Sequence, residues 1–364
     1  MKIREITNLI ERVAPLVLQE SYDNAGLIIG DAEKEATAAL ITLDVTDQVV
    51  EEAITLGINF IVAHHPLIFK GLKKINPQDM IGRLVSRCIK NDIAVYAAHT
   101  NLDNVYHGVN QMVSERLGLK NTRILSPAKE GLSKLVVFCP VDHAEKLRQA
   151  IFAAGAGHIG NYDSCSFNIE GKGSFRALEG AQPYVGDLHQ LHFEKEARIE
   201  AIYPNYLSGD ILKAMIAAHP YEEVAYDIYP LANSFARVGA GMIGDLEVPE
   251  NTKQFLARLK RTFGAGCVRH SPIVKDEIQQ VAVCGGSGSF LIGEAMRAGA
   301  DIYITGDLKY HEFFDADGQI LLADIGHYES EQFTKELLMN LIKKNFPNFA
   351  AQISEVNTNP VHYL

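Results

Sequence analysis

The sequence predicts an α/β protein made of two pseudo-repeated α/β lobes that flank a cleft, with an inserted ferredoxin-like (α+β) domain. Two observations lead to this fold class. Residues 39–65 and 280–307 share the order strand, helix, strand, which is typical of parallel sheets covered by helices. Residues 134–231 follow another order, strand, helix, strand, strand, helix, strand, which is the ferredoxin-like arrangement.

The N-terminal lobe, expected at 1–130, begins with helical spacing of apolar residues and continues as alternating strands and helices. Thr46 can cap the second helix, and Gly57 ends it before a strand that carries two histidines. The predicted helices are 3–13, 46–56 and 78–90, and the predicted strands are 27–29, 39–43, 60–63 and 93–97.

The C-terminal lobe, expected at 233–364, has the same order of elements. A tight turn at 285–289, rich in glycine, is predicted to join its first strand to a helix. The predicted strands are 280–283, 301–305 and 320–323, and the predicted helices are 290–297 and 310–314. Two such halves facing one another would bring their strand ends into one cleft.

The material between the lobes, expected as an inserted domain at 131–232, contains a glycine-punctuated stretch between its first helix and its next strand. The predicted strands are 134–138, 188–193, 198–203 and 224–229, and the predicted helices are 142–154 and 208–217.

Length and charge bound the function. A chain of 364 residues is long enough for two or three domains, and ordinary apolar content indicates a globular protein. The formal charge of -11 argues against general nucleic-acid binding, which needs a surface rich in lysine and arginine. One local basic patch consists of Arg258, Lys260, Arg261 and Arg269. A patch of this kind is more often a solvated helix face than a binding site.

The ends and the cysteines indicate a cytoplasmic protein. The start lacks the apolar segment of a signal peptide, and no apolar run approaches the roughly 20 residues of a membrane span. The five cysteines are widely spaced and never form a Cys-x-x-Cys pair, so neither a disulfide framework nor a thiolate zinc site is indicated. Any metal ligands are therefore histidine and carboxylate.

The strand at 60–63 is followed at once by His64, His65 and a proline. Open α/β sheets present site residues to a crevice in this way, at the carboxyl end of a strand. Taken alone, one buried and one solvated histidine would be the simpler interpretation, because neighbours on a strand point to opposite faces. Two distant stretches with the same chemistry argue against that interpretation.

Asp103 follows the strand at 93–97, and His327 and Glu331 follow the strand at 320–323. Three imidazoles and two carboxylates suit zinc, manganese or iron, and a carboxylate can bridge two ions about 3.5–4 Å apart. On a helix, residues four apart share a face, so Glu331 could act as such a bridge. Each residue alone is more simply a satisfied polar group, but five such residues at three strand ends favour a metal site.

Three further motifs are less specific. His99, four residues before Asp103, is a sixth ligand, a residue that orients a ligand, or a general acid or base, with the last two preferred. The turn at 285–289 is either a phosphate cradle or a plain turn, since it lacks the ending of a P-loop. The G-x-G-x-x-G at 239–244 precedes a strand rather than a helix, which excludes a dinucleotide fold.

Several motifs in this order resemble the Nif-three-like dinuclear-metal proteins, often labelled GTP cyclohydrolase 1 type 2 homologues. The motifs are Ser21-Tyr22-Asp23-Asn24-Ala25-Gly26-Leu27, Ala63-His64-His65-Pro66, His99-Thr100-Asn101-Leu102-Asp103, Gly306-Asp307 followed by His311, and Gly326-His327 with Glu331. Ala218-His219-Pro220-Tyr221-Glu222-Glu223 resembles the CutA/PII-like insertion of longer family members.

The resemblance implies a two-lobed fold with two divalent metal ions per chain, zinc being expected and iron or manganese being alternatives. It implies a toroidal homohexamer, a trimer of dimers, whose inserted domain caps the toroid or gates access. The ligands implied for the metal are His64, His65, Asp103, His327 and Glu331, the last as a bridge.

The function expected from these features is metal-dependent hydrolysis of a nucleotide or phosphoester, and the family label adds GTP cyclohydrolase activity. His99 and His311 are candidate catalytic proton donors. The alternative is a non-catalytic metal-binding or regulatory hexamer whose inserted domain senses a ligand.

Overall fold

The computed structural model describes all 364 residues. Contacts divide the chain into two compact units, one formed by Met1–Pro127 with Arg237–Leu364 and the other by Ala128–Ala236. None of the helices combines the length and the apolar character that crossing a bilayer requires.

The helices alternate with strands through most of the chain. They are α1 Ile3–Val13, α2 Asp47–Thr55, α3 Met80–Lys90, α4 Thr100–Asp103, α5 Val109–Arg116, α6 Ala144–Ala153, α7 Ser208–Ala218, α8 Thr252–Thr262, α9 Ile292–Arg297, α10 His327–Glu331 and α11 Thr334–Asn345. Short 3-10 segments lie at Leu16–Leu18, Val141–His143, Asn205–Leu207, Ser289–Leu291 and Tyr310–Ala316.

The strands form three sheets. They are β1 Gly26–Ile29, β2 Ala39–Thr42, β3 Phe60–Ala63, β4 Ala94–Ala97, β5 Lys120–Ala128, β6 Leu132–Pro140, β7 Phe167–Arg176, β8 Leu191–Pro204, β9 Tyr226–Leu231, β10 Phe235–Asn251, β11 Arg269–His270, β12 Glu277–Ser287, β13 Ile302–Gly306, β14 Leu321–Asp324 and β15 Ala351–Ile353.

The five-stranded sheet of the larger unit has the order β1-β4-β3-β2-β15. Its strands are parallel except for β1, which is antiparallel to β4. Every residue of β2, β3 and β4 is buried, which explains their continuous apolar sequences. Ala63 pairs with Ala97, so the segments that follow β3 and β4 leave the sheet side by side.

The six-stranded sheet of the same unit has the order β11-β14-β13-β12-β10-β5. Its centre, β12, β13 and β14, is parallel, with β10 and β11 antiparallel on either side. One continuous hydrophobic core includes residues of both sheets, among them Val62 and Tyr96 of the first and Val283 and Ile304 of the second. The two sheets are therefore held as one body, which fixes their strand ends relative to one another.

Local sequence signals set the boundaries of α2. The side chain of Thr46 accepts a hydrogen bond from the backbone N–H of Val49, which caps the helix as predicted. Gly57 has a φ of +66° and ends the turn before β3. The helix predicted at 78–90 begins two residues later, at Met80, because Asp79 accepts from the N–H of Gly82 and acts as its cap.

The tight turn predicted at 285–289 is wrong. β12 continues through Gly285 and Gly286 to Ser287, which pairs with Gly306 after a register irregularity. The glycines here provide room, because a Cβ on Gly286 would lie 2.3 Å from a carboxylate oxygen of Glu331 and one on Gly306 would lie 2.8 Å from the backbone N of His327.

The smaller unit contains a four-stranded antiparallel sheet of order β7-β8-β6-β9. Helices α6 and α7 contribute to one hydrophobic core with the sheet. The strands predicted at 188–193 and 198–203 are parts of one strand, β8, which continues through the charged residues 194–196 between them. The strand missing from the prediction is β7, an edge strand that is mostly exposed and contains two glycines.

Candidate metal centre

Four histidines from three separate segments converge in the larger unit. The ring centroid of His65 lies 4.9 Å from that of His64, 5.4 Å from that of His99 and 5.2 Å from that of His327. His64 and His65 follow β3, His99 follows β4, and His327 begins α10 directly after β14. The predicted meeting of strand ends from both halves of the chain is thus present in the geometry.

The short helix α10 brings a carboxylate to the same place. His327 and Glu331 are four residues apart, and His327 Nε2 lies 3.0 Å from Glu331 Oε2. The turn into this helix requires glycine, because Gly326 has a φ of +94° and a Cβ there would lie 2.1 Å from a carboxylate oxygen of Glu329.

Glu331 presents its two carboxylate oxygens to two different groups of side chains. Oε2 lies 3.0 Å from Nε2 of both His65 and His327. Oε1 lies 3.7 Å from His64 Nε2, which in turn lies 3.7 Å from Asp103 Oδ1. In each group, one Glu331 oxygen and two further ligand atoms lie within 4.8 Å of one another. A carboxylate placed in this way can bridge two ions.

Two buried polar atoms of the cluster have no hydrogen-bond partner. They are His64 Nε2 and Asp103 Oδ1, both in the group that contains Glu331 Oε1. Leaving buried polar atoms unpaired is costly, and a cation between them would satisfy both. The ligand set and these two atoms together fit a divalent metal ion.

Each histidine of the cluster has its Nδ1 atom fixed by an oxygen atom. The pairs, each separated by 2.7 Å, are His64 with the carbonyl of Ala98, His65 with Asp44, His99 with Asp23, and His327 with Asp307. Fixing Nδ1 in this way leaves Nε2 as the free nitrogen and orients the ring, which is the usual support of metal-binding histidines.

Hydrogen bonds and burial shift the pKa values of several side chains in the cluster. Burial alone would lower the pKa of His327, but hydrogen bonds to Asp307 and Glu331 raise it to about 11. Burial is likewise outweighed at His65, where Asp44 and Glu331 raise the pKa to about 9. Burial and the nearby Glu331 raise the pKa of Asp103 well above its ordinary value. Without an ion, protons occupy positions that a divalent cation could take.

Two cavities adjoin the cluster. One, of about 370 Å³, is lined by Asp103, His99 and Glu331, and exposed aromatic rings lie around it at Tyr22, Phe69 and Phe290. It has no lysine or arginine in its lining. The second, of about 530 Å³, adjoins His65 and His327 from the side of the C-terminal segment.

The profile of the Duf34/NIF3 (NGG1p interacting factor 3) family matches residues 1–360. The chain belongs to the DUF34/NIF3 family.

Several named relatives match nearly the whole chain. Proteins named GTP cyclohydrolase 1 type 2 homolog are 40% identical over 365 residues in Halalkalibacterium halodurans and 41% identical over 367 residues in Bacillus subtilis. Each match covers 99% of this chain and 98% of the relative. A Bacillus cereus crystal structure, described as a protein related to NIF3, is 42% identical with a TM-score of 0.88 and covers 100% of this chain and 99% of its own. A Staphylococcus aureus crystal structure is 31% identical with a TM-score of 0.79, with the same two coverages.

In this NIF3 chain the five ligand candidates His64, His65, Asp103, His327 and Glu331 lie together. His99 lies with His64 and His65 in a third group of ligand atoms within 4.8 Å, so it adjoins the cluster directly.

His311 is not brought into the cluster. It is exposed, its ring contacts are with Tyr310 and Phe314, and neither cavity beside the cluster includes it. Its assignment as a proton donor has no geometric support within one chain.

The phosphate cradle at 285–289 is also unsupported. The backbone N–H groups of Gly285, Gly286 and Gly288 donate to Asn110, Ser330 and Thr305, respectively. Donors already used inside the fold cannot hold a phosphate.

Sequence reasoning assigned no role to the carboxylates that fix the histidine rings. Asp44 lies two residues after the end of β2. Asp23 and Asp307 lie in motifs that carry the family resemblance. The available signal was position, since Asp44 follows β2, the parallel neighbour of β3, and Asp307 follows β13, the parallel neighbour of β14.

Proposed function

We propose that this protein is a dinuclear divalent-metal hydrolase that acts on a nucleotide or phosphoester. The observation that carries the proposal is the position of Glu331, whose two oxygens face two different groups of candidate ligands. The unpaired atoms of His64 and Asp103 support it, because each lies where an ion would supply a partner.

The proposed ligands are His65, His327 and Glu331 for one ion, and His64, Asp103 and Glu331 for the other. Zinc suits this set of imidazoles and carboxylates, and iron and manganese are alternatives. When bound, two such ions lower the pKa of water and polarise an electrophilic carbon or phosphorus centre.

The chain's own residues have separate tasks. Asp44 and Asp307 orient the rings of His65 and His327. Asp23 holds Nδ1 of His99, which leaves Nε2 of that ring to hold or deliver a proton beside the ligands. His99 is therefore the proposed general acid or base.

The cavity beside Asp103 supports the class of substrate. Tyr22, Phe69 and Phe290 are 69%, 47% and 64% exposed, and aromatic rings of this kind stack on the flat face of a base. Because the lining of this cavity contains no lysine or arginine, the metal ions would have to neutralise the charge of a bound phosphate. The name that the Bacillus subtilis relative carries makes GTP the first substrate to test.

The domain organisation and the assembly of the protein are part of the same proposal. We infer that the lobes at 1–130 and 233–364 are a pseudo-repeat and that 131–232 is an inserted ferredoxin-like domain of the CutA/PII-like type. The order of β6, α6, β7, β8, α7 and β9 supports this inference. The proposed assembly is a cytoplasmic homohexamer, a trimer of dimers in toroidal form.

The experiment is a turnover assay with metal-loaded protein. GTP, other nucleotides and a model phosphodiester are the substrates, and Glu331→Ala is compared with the unchanged chain. Turnover that disappears in Glu331→Ala while the native molecular mass by light scattering is unchanged supports the hydrolase.

A non-catalytic metal-binding or regulatory hexamer is the second candidate. The cavity beside Asp103 has no lysine or arginine, and the N–H groups at Gly285, Gly286 and Gly288 are used inside the fold. Both observations favour this candidate, because in that cavity no cationic side chain and none of these N–H groups is available to a phosphate. Bound metal with no turnover across the substrate panel would support this candidate and contradict the hydrolase.

A further inference from the structure

The smaller unit contains a cavity of its own, of about 310 Å³, whose lining residues all belong to Ala128–Ala236. Its walls come from the end of β7, from the segment that follows β7 and from the segment that follows α7. A volume of this size is at the lower end of cavities that enclose small organic ligands. We call it the tyrosine cavity, after Tyr184 and Tyr221.

Three aromatic rings surround the tyrosine cavity. The centroid of Tyr221 lies 6.0 Å from that of Phe175 and 6.2 Å from that of Tyr184. Neither of these two pairs is stacked face to face, since the interplanar angles are 60° and 46°. Tilted rings around one space present π faces that attract a cation.

Tyr221 is held in place from behind. Its backbone N–H donates to His219 Nδ1 at 3.0 Å, and His219 Nε2 lies 2.9 Å from the carbonyl of Phe138 in β6. The imidazole therefore accepts on one side and donates on the other, which ties this segment to the sheet. The backbone that carries the Tyr221 ring is therefore held by the fold itself.

The hydroxyl of Tyr221 is buried, and the carboxylate of Glu196 lies beside it. Burial, followed by the charge of Glu196 and a hydrogen bond to it, raises the pKa of this hydroxyl, so it stays protonated. A phenol oxygen that donates its hydrogen still has lone pairs that accept. A ligand that donates to both the hydroxyl oxygen and Glu196 would fit this arrangement.

The charge around the cavity is mainly negative. Glu196, Glu222 and Glu223 line it, against the single Arg176. Glu196 is half-buried, whereas Arg176 is exposed at the rim. The neighbouring ion pairs on β8 join His192 to Glu194 and Arg198 to Glu200, and neither of them uses Glu196.

We propose that the tyrosine cavity binds a small organic cation, an ammonium group carried on an apolar or aromatic body. The ammonium would donate to Glu196 and to the hydroxyl oxygen of Tyr221, and its body would lie against Phe175 and Tyr184. The site stands independently of the proposed metal chemistry, because every residue that forms it lies in the smaller unit.

The test is calorimetric titration of the full chain with three probes of similar shape, in the presence of a chelator. The probes are phenethylammonium, neutral 2-phenylethanol and anionic 3-phenylpropanoate. We expect saturable binding of one phenethylammonium per chain, with 2-phenylethanol at least tenfold weaker and 3-phenylpropanoate weaker still.

Three variants separate the site from general charge effects. Glu196→Gln should weaken phenethylammonium binding about 10- to 100-fold, and Tyr221→Phe about fivefold. Glu170→Gln is the matched control. Glu170 is exposed on β7, lies opposite Ala197 of β8 in the strand register and does not line the cavity. This variant should bind phenethylammonium as the unchanged chain does. Unchanged thermal unfolding of each variant shows that the sheet is intact.

The proposal is overturned if phenethylammonium gives no saturable heat up to about 10 mM, a concentration at which binding would be worth under about 3 kcal/mol. It is equally overturned if the neutral or anionic probe binds as tightly, or if Glu196→Gln and Glu170→Gln have the same effect. An anion-selective result would assign the cavity to Arg176 instead.

Discussion

The Nε2 atoms of His65 and His327 lie 3.3 Å apart, although one residue follows β3 and the other begins α10. Both also lie 3.0 Å from the same oxygen of Glu331. Two imidazole lone pairs at this separation repel unless a proton or a cation lies between them. The proposed metal centre depends on this contact.

Glu331→Gln should reduce the metal content from about two ions per chain to about one or none. An amide is neutral and offers one oxygen, so it cannot serve both groups of ligands. Elemental analysis after loading and desalting measures the result. The matched control is Glu329→Gln on the same helix, whose carboxylate accepts from Asn359 Nδ2 at 3.2 Å, and it should keep both ions.

Asp44→Asn should weaken the affinity for the ion held by His65, His327 and Glu331 about 10- to 100-fold, because His65 loses the carboxylate that orients its ring. Competition with a chelator of known affinity measures the change. Asp47→Asn is a control nearby in the sequence, since Asp47 pairs with Arg83 and Arg87 instead. Equal affinities for both variants would show that Asp44 has no part in orienting a ligand.

Removing the metal should destabilise the larger unit. At a free-ion concentration of about 100 times Kd, one bound ion contributes about 2.7 kcal/mol, which corresponds to about 5–10 °C in Tm for a unit of this size. Calorimetric scans with and without a chelator measure the difference. In the double variant His64→Ala, His327→Ala the chelator should change nothing, and a shift of the same size there would contradict the assignment.

A carboxylate in the six-stranded sheet gives a pH dependence that does not involve the metal. Burial alone would raise the pKa of Asp301, but Lys275 and the backbone N–H groups of Gln280 and Gln279 lower it below its ordinary value. Such a group stabilises the fold at pH values above its unfolded pKa of about 3.9, and this contribution disappears as the pH falls through the lower folded pKa.

Asp301→Asn should therefore cost about 1–2 kcal/mol in the free energy of unfolding at pH 7. The difference from the unchanged chain should shrink below about pH 4, where the carboxylate gains a proton first in the unfolded chain and, at lower pH, in the native chain. Urea titrations at pH 7, 5 and 3.5 measure it. A difference that is constant over this range would rule out the carboxylate as its source.

Much of the site was accessible from the sequence because it depends on strand ends. His64 and His65 follow a fully buried apolar strand, and His327 and Glu331 have helical spacing after another. Parallel strands bring their carboxyl ends to one edge within each sheet. Because β3 and β14 belong to different sheets, placing their ends together also required the expectation that the two halves of the chain face one another.

Other features needed three-dimensional information. The glycines at 285 and 286 indicated a turn, but they are required where the strand passes Glu331, a residue more than 40 positions later. β7 carries little apolar pattern because it is an exposed edge strand. The partners of the histidine rings, Asp44 among them, depend on side-chain directions that spacing alone does not give.

The most direct test of the central claim is the metal content of the purified, metal-loaded chain. Elemental analysis should find about two divalent ions per chain, and the double variant His64→Ala, His327→Ala should hold fewer than about half an ion, because each proposed site loses a ligand. Full occupancy in the double variant would contradict the assignment of the metal centre to these residues.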